Sequence, residues 1–121
     1  MRPALAFLLA NVWLAGGLSA AGSPLEEAKA AVRAKDHPRA IALLRPSAEA
    51  GDSEAQFRLA LLLSHGEGVL EADHPQARLW YLKAARQGHL KARFYLAWML
   101  EDGQGGPKDP VEAAHWYRMA A

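Results

Sequence analysis

Apolar residues along this chain recur with a helical period. Ala55, Leu59 and Leu63 fall at every fourth position, and Ala92, Leu96 and Leu100 repeat the pattern further along. Each set forms one stripe of an amphipathic helix, and the small Ala60 beside the first stripe lets a neighbouring helix approach closely. The spacing predicts helices over roughly Glu54 to Ser64 and Lys91 to Asp102. Glycines follow both, and glycine readily takes the left-handed conformation that ends many helices. A second set of helices is predicted to begin at Asp36, Asp73 and Asp109, whose carboxylates can accept the exposed N–H groups of a first turn and favour its positive dipole end. Proline follows each aspartate within two residues, in the turn where its missing N–H is no loss. Ser23-Pro24-Leu25-Glu26 has the form of a capping box and marks the start of an earlier helix.

These elements form a repeat. Ala55, Leu59, Ala60, Leu63, Gly66 and Gly68 match Ala92, Leu96, Ala97, Leu100, Gly103 and Gly105 at a spacing of 37 residues. Asp73, Ala77, Trp80, Tyr81, Ala84 and Ala85 match Asp109, Ala113, Trp116, Tyr117, Ala120 and Ala121 at 36, so one residue is lost in the loop between. A degenerate copy precedes them, with Asp36, Pro38, Ala40, Leu43, Leu44, Ala48 and Gly51 placed 37 positions before Asp73, Pro75, Ala77, Trp80, Tyr81, Ala85 and Gly88. One hairpin cannot bury its apolar stripe alone, whereas stacked hairpins can. The expected fold is therefore all-α, a right-handed α/α solenoid of about two and a half to three units over roughly 24–52, 53–88 and 89–121.

The motifs Gly66-Glu67-Gly68-Val69, Asp73 and Trp80-Tyr81-Leu82-Lys83-Ala84-Ala85-Arg86-Gln87-Gly88 resemble the Sel-1-like repeat, a longer-looped relative of the tetratricopeptide repeat. The last unit repeats them as Gly103-Gln104-Gly105, Asp109 and Trp116-Tyr117-Arg118-Met119-Ala120-Ala121. Ala60 and Ala97 stand where the family has glycine, and Leu63 and Leu100 where it has tyrosine. The resemblance implies a scaffold that brings other proteins together. It also brings an alternative, since some cysteine-rich secreted members are described as β-lactam-binding or hydrolysing proteins.

Composition narrows these options. Met1-Arg2 followed by the apolar run from Ala4 to Leu18 and the small residues Ser19-Ala20-Ala21-Gly22 has the pattern of a secretory signal peptide over 1–21, too short for a membrane span. The repeat domain then covers 22–121, in the periplasm or outside the cell, with no stable membrane insertion after cleavage. The 14 Lys and Arg balance 13 Asp and Glu, which leaves no electrostatic footprint for nucleic acid. The chain has no cysteine, which removes disulfides, a thiolate nucleophile and cysteine-based zinc sites, and with them the feature that would link it to the enzymatic relatives.

No catalytic, cofactor or metal site is expected. The five histidines, His37, His65, His74, His89 and His115, show no HExxH or i, i+4 pairing, and His37 and His74 fall at first-turn positions expected to be exposed. Ser64 beside His65 lacks an elbow motif or an obvious orienting carboxylate, and neighbouring helix-end residues are expected to point apart. The glycine loops follow helices, unlike phosphate-binding loops, which follow a strand. Trp80-Tyr81 and Trp116-Tyr117 recur at fixed repeat positions and are expected in the core. The pairs Phe57 and Leu61, and Phe94 and Trp98, lie off the core stripe and either pack on adjoining hairpins or line the concave groove. The expected contact surface for a protein or peptide partner is Phe57, Arg58, Leu61, Phe94, Tyr95 and Trp98. A last helix that stops at Ala121 leaves an apolar edge open to a partner or a second copy.

Overall fold

A computed structural model describes residues 22–65 and 72–121. The expected signal peptide and the Gly66 to Val69 motif lie outside the described residues. The described chain forms α1 (Pro24–Arg33), α2 (His37–Glu49), α3 (Ser53–His65), α4 (His74–Arg86), α5 (Leu90–Asp102) and α6 (Pro110–Ala120), with no strand among the described residues.

Capping residues set the helix starts. The Asp36, Asp73 and Asp109 carboxylates accept from the backbone N–H of Arg39, Gln76 and Glu112 at 3.3, 3.1 and 3.0 Å. Ser23 accepts from the Glu26 N–H at 3.1 Å, while the Glu26 carboxylate turns to Lys29 instead of completing a capping box. Two caps carry no motif in the sequence. Asp52 accepts from the N–H groups of Glu54 and Ala55, and the His89 ring does so for Ala92 at 3.2 Å.

Each helix packs chiefly on the ones before and after it, as in a solenoid held together by nearest-neighbour interfaces. Alanines are fully buried along the helices, among them Ala40, Ala60, Ala77, Ala84 and Ala97, and side chains this small allow neighbouring helices to approach closely. Leu44, Leu59, Tyr81, Leu96 and Met99 are the largest fully buried side chains among the described residues, and Trp80 and Trp116 are buried as their repeat positions predict.

The repeat also governs a polar tie. Buried Gln56 donates from Nε2 to the Ala48 carbonyl at 3.0 Å and accepts from Gln87 at 2.9 Å. One repeat later Arg93 donates from Nε to the Ala85 carbonyl at 3.0 Å and reaches on to the Met119 carbonyl at 3.1 Å. In both units a side chain of the first helix satisfies a carbonyl at the end of the preceding hairpin, which fixes how one hairpin sits on the next.

The loop after α5 lies against α4. Gly103 takes the left-handed conformation at φ 76° and ends α5, its N–H bonding the Met99 carbonyl at 2.8 Å. Gly105, at φ 75°, approaches the α4 backbone so closely that an added Cβ would lie 2.4 Å from the His74 carbonyl oxygen. This contact corrects one expectation. His74 is not an exposed first-turn residue but half-buried beneath the loop, with its Nδ1 enclosed and without a hydrogen-bond partner; His37, at the equivalent position, is half-buried as well.

Candidate interaction face

The first helices of successive hairpins share one side of the solenoid. A cavity of about 240 Å³ lies between α1 and α3, and a cleft of about 550 Å³ between α3 and α5. A further cleft of about 570 Å³ is bounded by the ends of α3 and α4 and by α5. Phe94 and Tyr95 line both of the larger clefts and form the ridge between them.

The six residues singled out in the sequence separate by exposure. Phe94 and Trp98 are 53% and 44% exposed, large fractions for side chains of this size. Tyr95 is half-buried, stacked on Tyr81 with ring centres 5.5 Å apart and the planes 7° from parallel. Arg58 and Leu61 are half-buried and line the cleft between α3 and α5. Phe57 departs from the expected exposed surface: at 5% exposure it belongs to the core. It holds the position of Phe94, but the following unit covers it, with Tyr95 5.7 Å and the His89 ring 4.5 Å from its own ring. Phe57 is therefore the floor of the face, and Phe94 and Trp98 are its surface.

Beneath the ridge lies a junction that sequence reasoning passed over. His89 Nδ1 accepts from the Ala92 N–H, so its proton sits on Nε2, which donates to Glu54 Oε1 at 2.8 Å. Arg58 holds the other Glu54 oxygen across one helical turn. Burial pushes the Glu54 carboxyl up, but the hydrogen bonds from His89 and Arg58, with the Arg58 charge, outweigh it and hold the carboxyl below its ordinary value. Of these three residues only Arg58 carried a signal in the sequence, because contacts across 35 positions leave no local pattern.

The Ser64 region also differs from expectation. Ser64 and His65 do not point apart, since Ser64 Oγ lies 3.4 Å from His65 Nδ1 and 3.3 Å from the Tyr81 hydroxyl. The pairing nevertheless gives no activated nucleophile. His65 Nδ1 is 2.8 Å from the Leu61 carbonyl, which can only accept, so this nitrogen carries the proton and cannot take one from Ser64. Ser64 itself donates to the Leu61 carbonyl at 3.1 Å. Burial, with a smaller contribution from Tyr95 and opposed by the Ser64 hydrogen bond, pushes the Tyr81 hydroxyl up to about 12, so it stays protonated. Among the described residues no cluster of His, Asp and Glu could hold a metal ion, and no helix is long and apolar enough to cross a membrane.

Comparison with curated proteins finds no match. Among solved structures the chain is similar to a Sel1 repeat protein from Oxalobacter formigenes, with 36% identity and a TM-score of 0.73, over 79% of this chain and 39% of that one. It is also similar to a protective antigen of uropathogenic Escherichia coli strains displaying an SLR fold, with 31% identity and a TM-score of 0.75, over 80% of this chain and 21% of the antigen. The chain thus spans well under half the length of either. Cysteine-rich protein B of Helicobacter pylori shares the fold at 16% identity and a TM-score of 0.64, over 82% of this chain and 90% of that one. The family model described as Sel1 repeat matches residues 30–52, 53–89 and 90–121, each of the last two spanning one complete hairpin, and the chain belongs to the Sel1 repeat family.

Proposed function

We propose that this protein is a non-catalytic interaction module of the cell envelope or the secreted space, which binds a protein or peptide through the face formed by α3 and α5. Sel1 repeats generally mediate protein–protein interaction. The observation that carries the reading for this chain is the exposure of Phe94 and Trp98 side by side with Tyr95, on a ridge between two clefts and above a packed floor. Aromatic side chains bury large area at small entropic cost and dominate binding energy where they are rigidly presented. The envelope or secreted location rests on the signal-peptide pattern of the first 21 residues. Intact mass of the exported protein tests it: a mass that still includes Met1 to Ala20 contradicts cleavage.

The binding reading is tested by substituting Trp98→Ala and Tyr95→Ala separately and confirming helicity by circular dichroism. Capture of envelope proteins is then compared with wild type. Loss of the same captured protein in both folded variants supports the face, and undiminished capture by both overturns it.

A further inference from the structure

The cavity between α1 and α3 is a separate feature from the aromatic ridge, and its chemistry is specific. Its wall and floor are Ala28 and Val32 from α1, Leu44 from α2, and Leu61 and Leu62 from α3. Its remaining lining residues are Lys29, Arg58 and His65, with no carboxylate among the described lining residues. At about 240 Å³ it is smaller than the roughly 300–1,000 Å³ of sites that enclose a small-molecule ligand. One aliphatic or aromatic side chain fits that space. The cations around it are not consumed by their own partners. Lys29 is half-buried and meets the exposed Glu26 carboxylate at 3.5 Å, and a long pair open to water on one side holds little energy. Arg58 binds Glu54 through Nε, which leaves donors of its fork for a second carboxylate.

We propose that this cavity is an anchor pocket for an acidic segment of a partner protein, taking one leucine-sized side chain while flanking carboxylates meet Lys29 and Arg58. The inference rests on the reading of the chain as an interaction module and adds to it the chemistry of what is bound. The pocket lies on the same side as the aromatic ridge and shares Arg58 and Leu61 with the cleft between α3 and α5, so one extended segment can run from the pocket to the ridge. An apolar pocket alone would accept any hydrophobic side chain. The cationic side chains that line it, with donors left over from Glu26 and Glu54, select among them, because a basic flank meets like charge and an acidic one is drawn in.

The test uses the purified chain and three fluorescein-labelled short peptides, read by anisotropy. One places a leucine between pairs of glutamates, the second replaces the glutamates with lysines, and the third replaces the leucine with serine. The first is expected to bind at least tenfold more tightly than either of the others, and more weakly as salt is raised. Val32→Glu puts a carboxylate into an exposed wall of the pocket, and Lys29→Glu reverses its rim. Each, with helicity unchanged, is expected to weaken the first peptide at least fivefold, whereas Leu79→Ala, at an exposed position of α4 that lines neither the pocket nor the ridge, leaves it unchanged. Equal binding of the acidic and basic peptides, binding indifferent to both pocket variants, or no binding of the first peptide up to about 1 mM overturns the proposal. None of these outcomes touches the ridge, which stands or falls on capture by the Trp98→Ala and Tyr95→Ala variants.

Discussion

At the scale of single residues, buried aromatic side chains are expected to contribute most to stability, because they remove the largest apolar area from water. Trp80 is buried with the Lys83 ammonium 4.4 Å above its ring. Trp80→Ala is expected to cost about 3–5 kcal/mol, in line with the deletion of other buried aromatics. In a domain near 100 residues that lowers the thermal midpoint by more than ~10 °C, and an unchanged midpoint would show that the ring contributes nothing to packing. His89 joins a cap, a ring contact to Phe57 and a hydrogen bond to Glu54 in one side chain. His89→Ala is expected to cost about 1–3 kcal/mol from the lost cap and ring contact, and His89→Asn less, because asparagine restores the cap alone. Denaturant unfolding of the two variants measures the difference, and equal losses would mean that the cap is without effect. Glu54 gives the junction a pH dependence. Its carboxyl is held below its ordinary value in the folded chain, so the stabilisation is fully present above about pH 4.5 and is lost as pH falls through the lower folded value. Stability should therefore decline on the acid side, and Glu54→Gln should make that decline shallower. An identical acid limb in the variant would remove Glu54 from the account.

At the scale of elements, helix starts and repeat register were legible in the sequence, and cross-element contacts were not. Asp36, Asp73 and Asp109 cap the helices they were expected to cap, because a cap acts within one turn and leaves a local pattern. The one-residue difference in spacing does fall in the loop, since α3 and α5 start 37 residues apart and α4 and α6 start 36 apart. Phe57 and Phe94 are the instructive pair. Their sequence surroundings are alike, yet Phe57 is covered by His89 and Tyr95 while Phe94 is exposed, so helical periodicity could not separate core from surface there. His74 misled because a first-turn position does not reveal what packs on it, and the loop carrying Gly105, 31 residues away, lies against its backbone. That contact makes its own prediction. Gly105→Ala combines a left-handed φ with a Cβ driven into the α4 backbone, whereas Gly51→Ala, at φ 104°, meets nothing within 4 Å. The first is expected to destabilise by clearly more than the ~1–3 kcal/mol of backbone strain that both share. Comparable unfolding midpoints for the two would show that the loop yields freely.

At the scale of the whole molecule, the two sides of the solenoid differ in surface. The side of α1, α3 and α5 carries the cavity, the clefts and the aromatic ridge. Exposed apolar residues are not confined to it, since Leu79 on α4 is 58% exposed and Val111 on α6 is 81% exposed. Isolated apolar residues are ordinary on a protein surface, so exposure alone does not identify a binding face. What distinguishes the ridge is that Phe94, Tyr95 and Trp98 stand together beside clefts, on a helix tied to its neighbours by Arg93 and His89. The most direct measurement is site-specific photo-crosslinking in cells that produce the full chain, with the photoreactive residue placed in turn at Leu61, Phe94, Trp98, Leu79 and Val111. The account predicts a common crosslinked partner from Leu61, Phe94 and Trp98 and none from Leu79 or Val111. Crosslinks from Leu79 or Val111 alone would contradict it and move the binding surface to the other side of the solenoid.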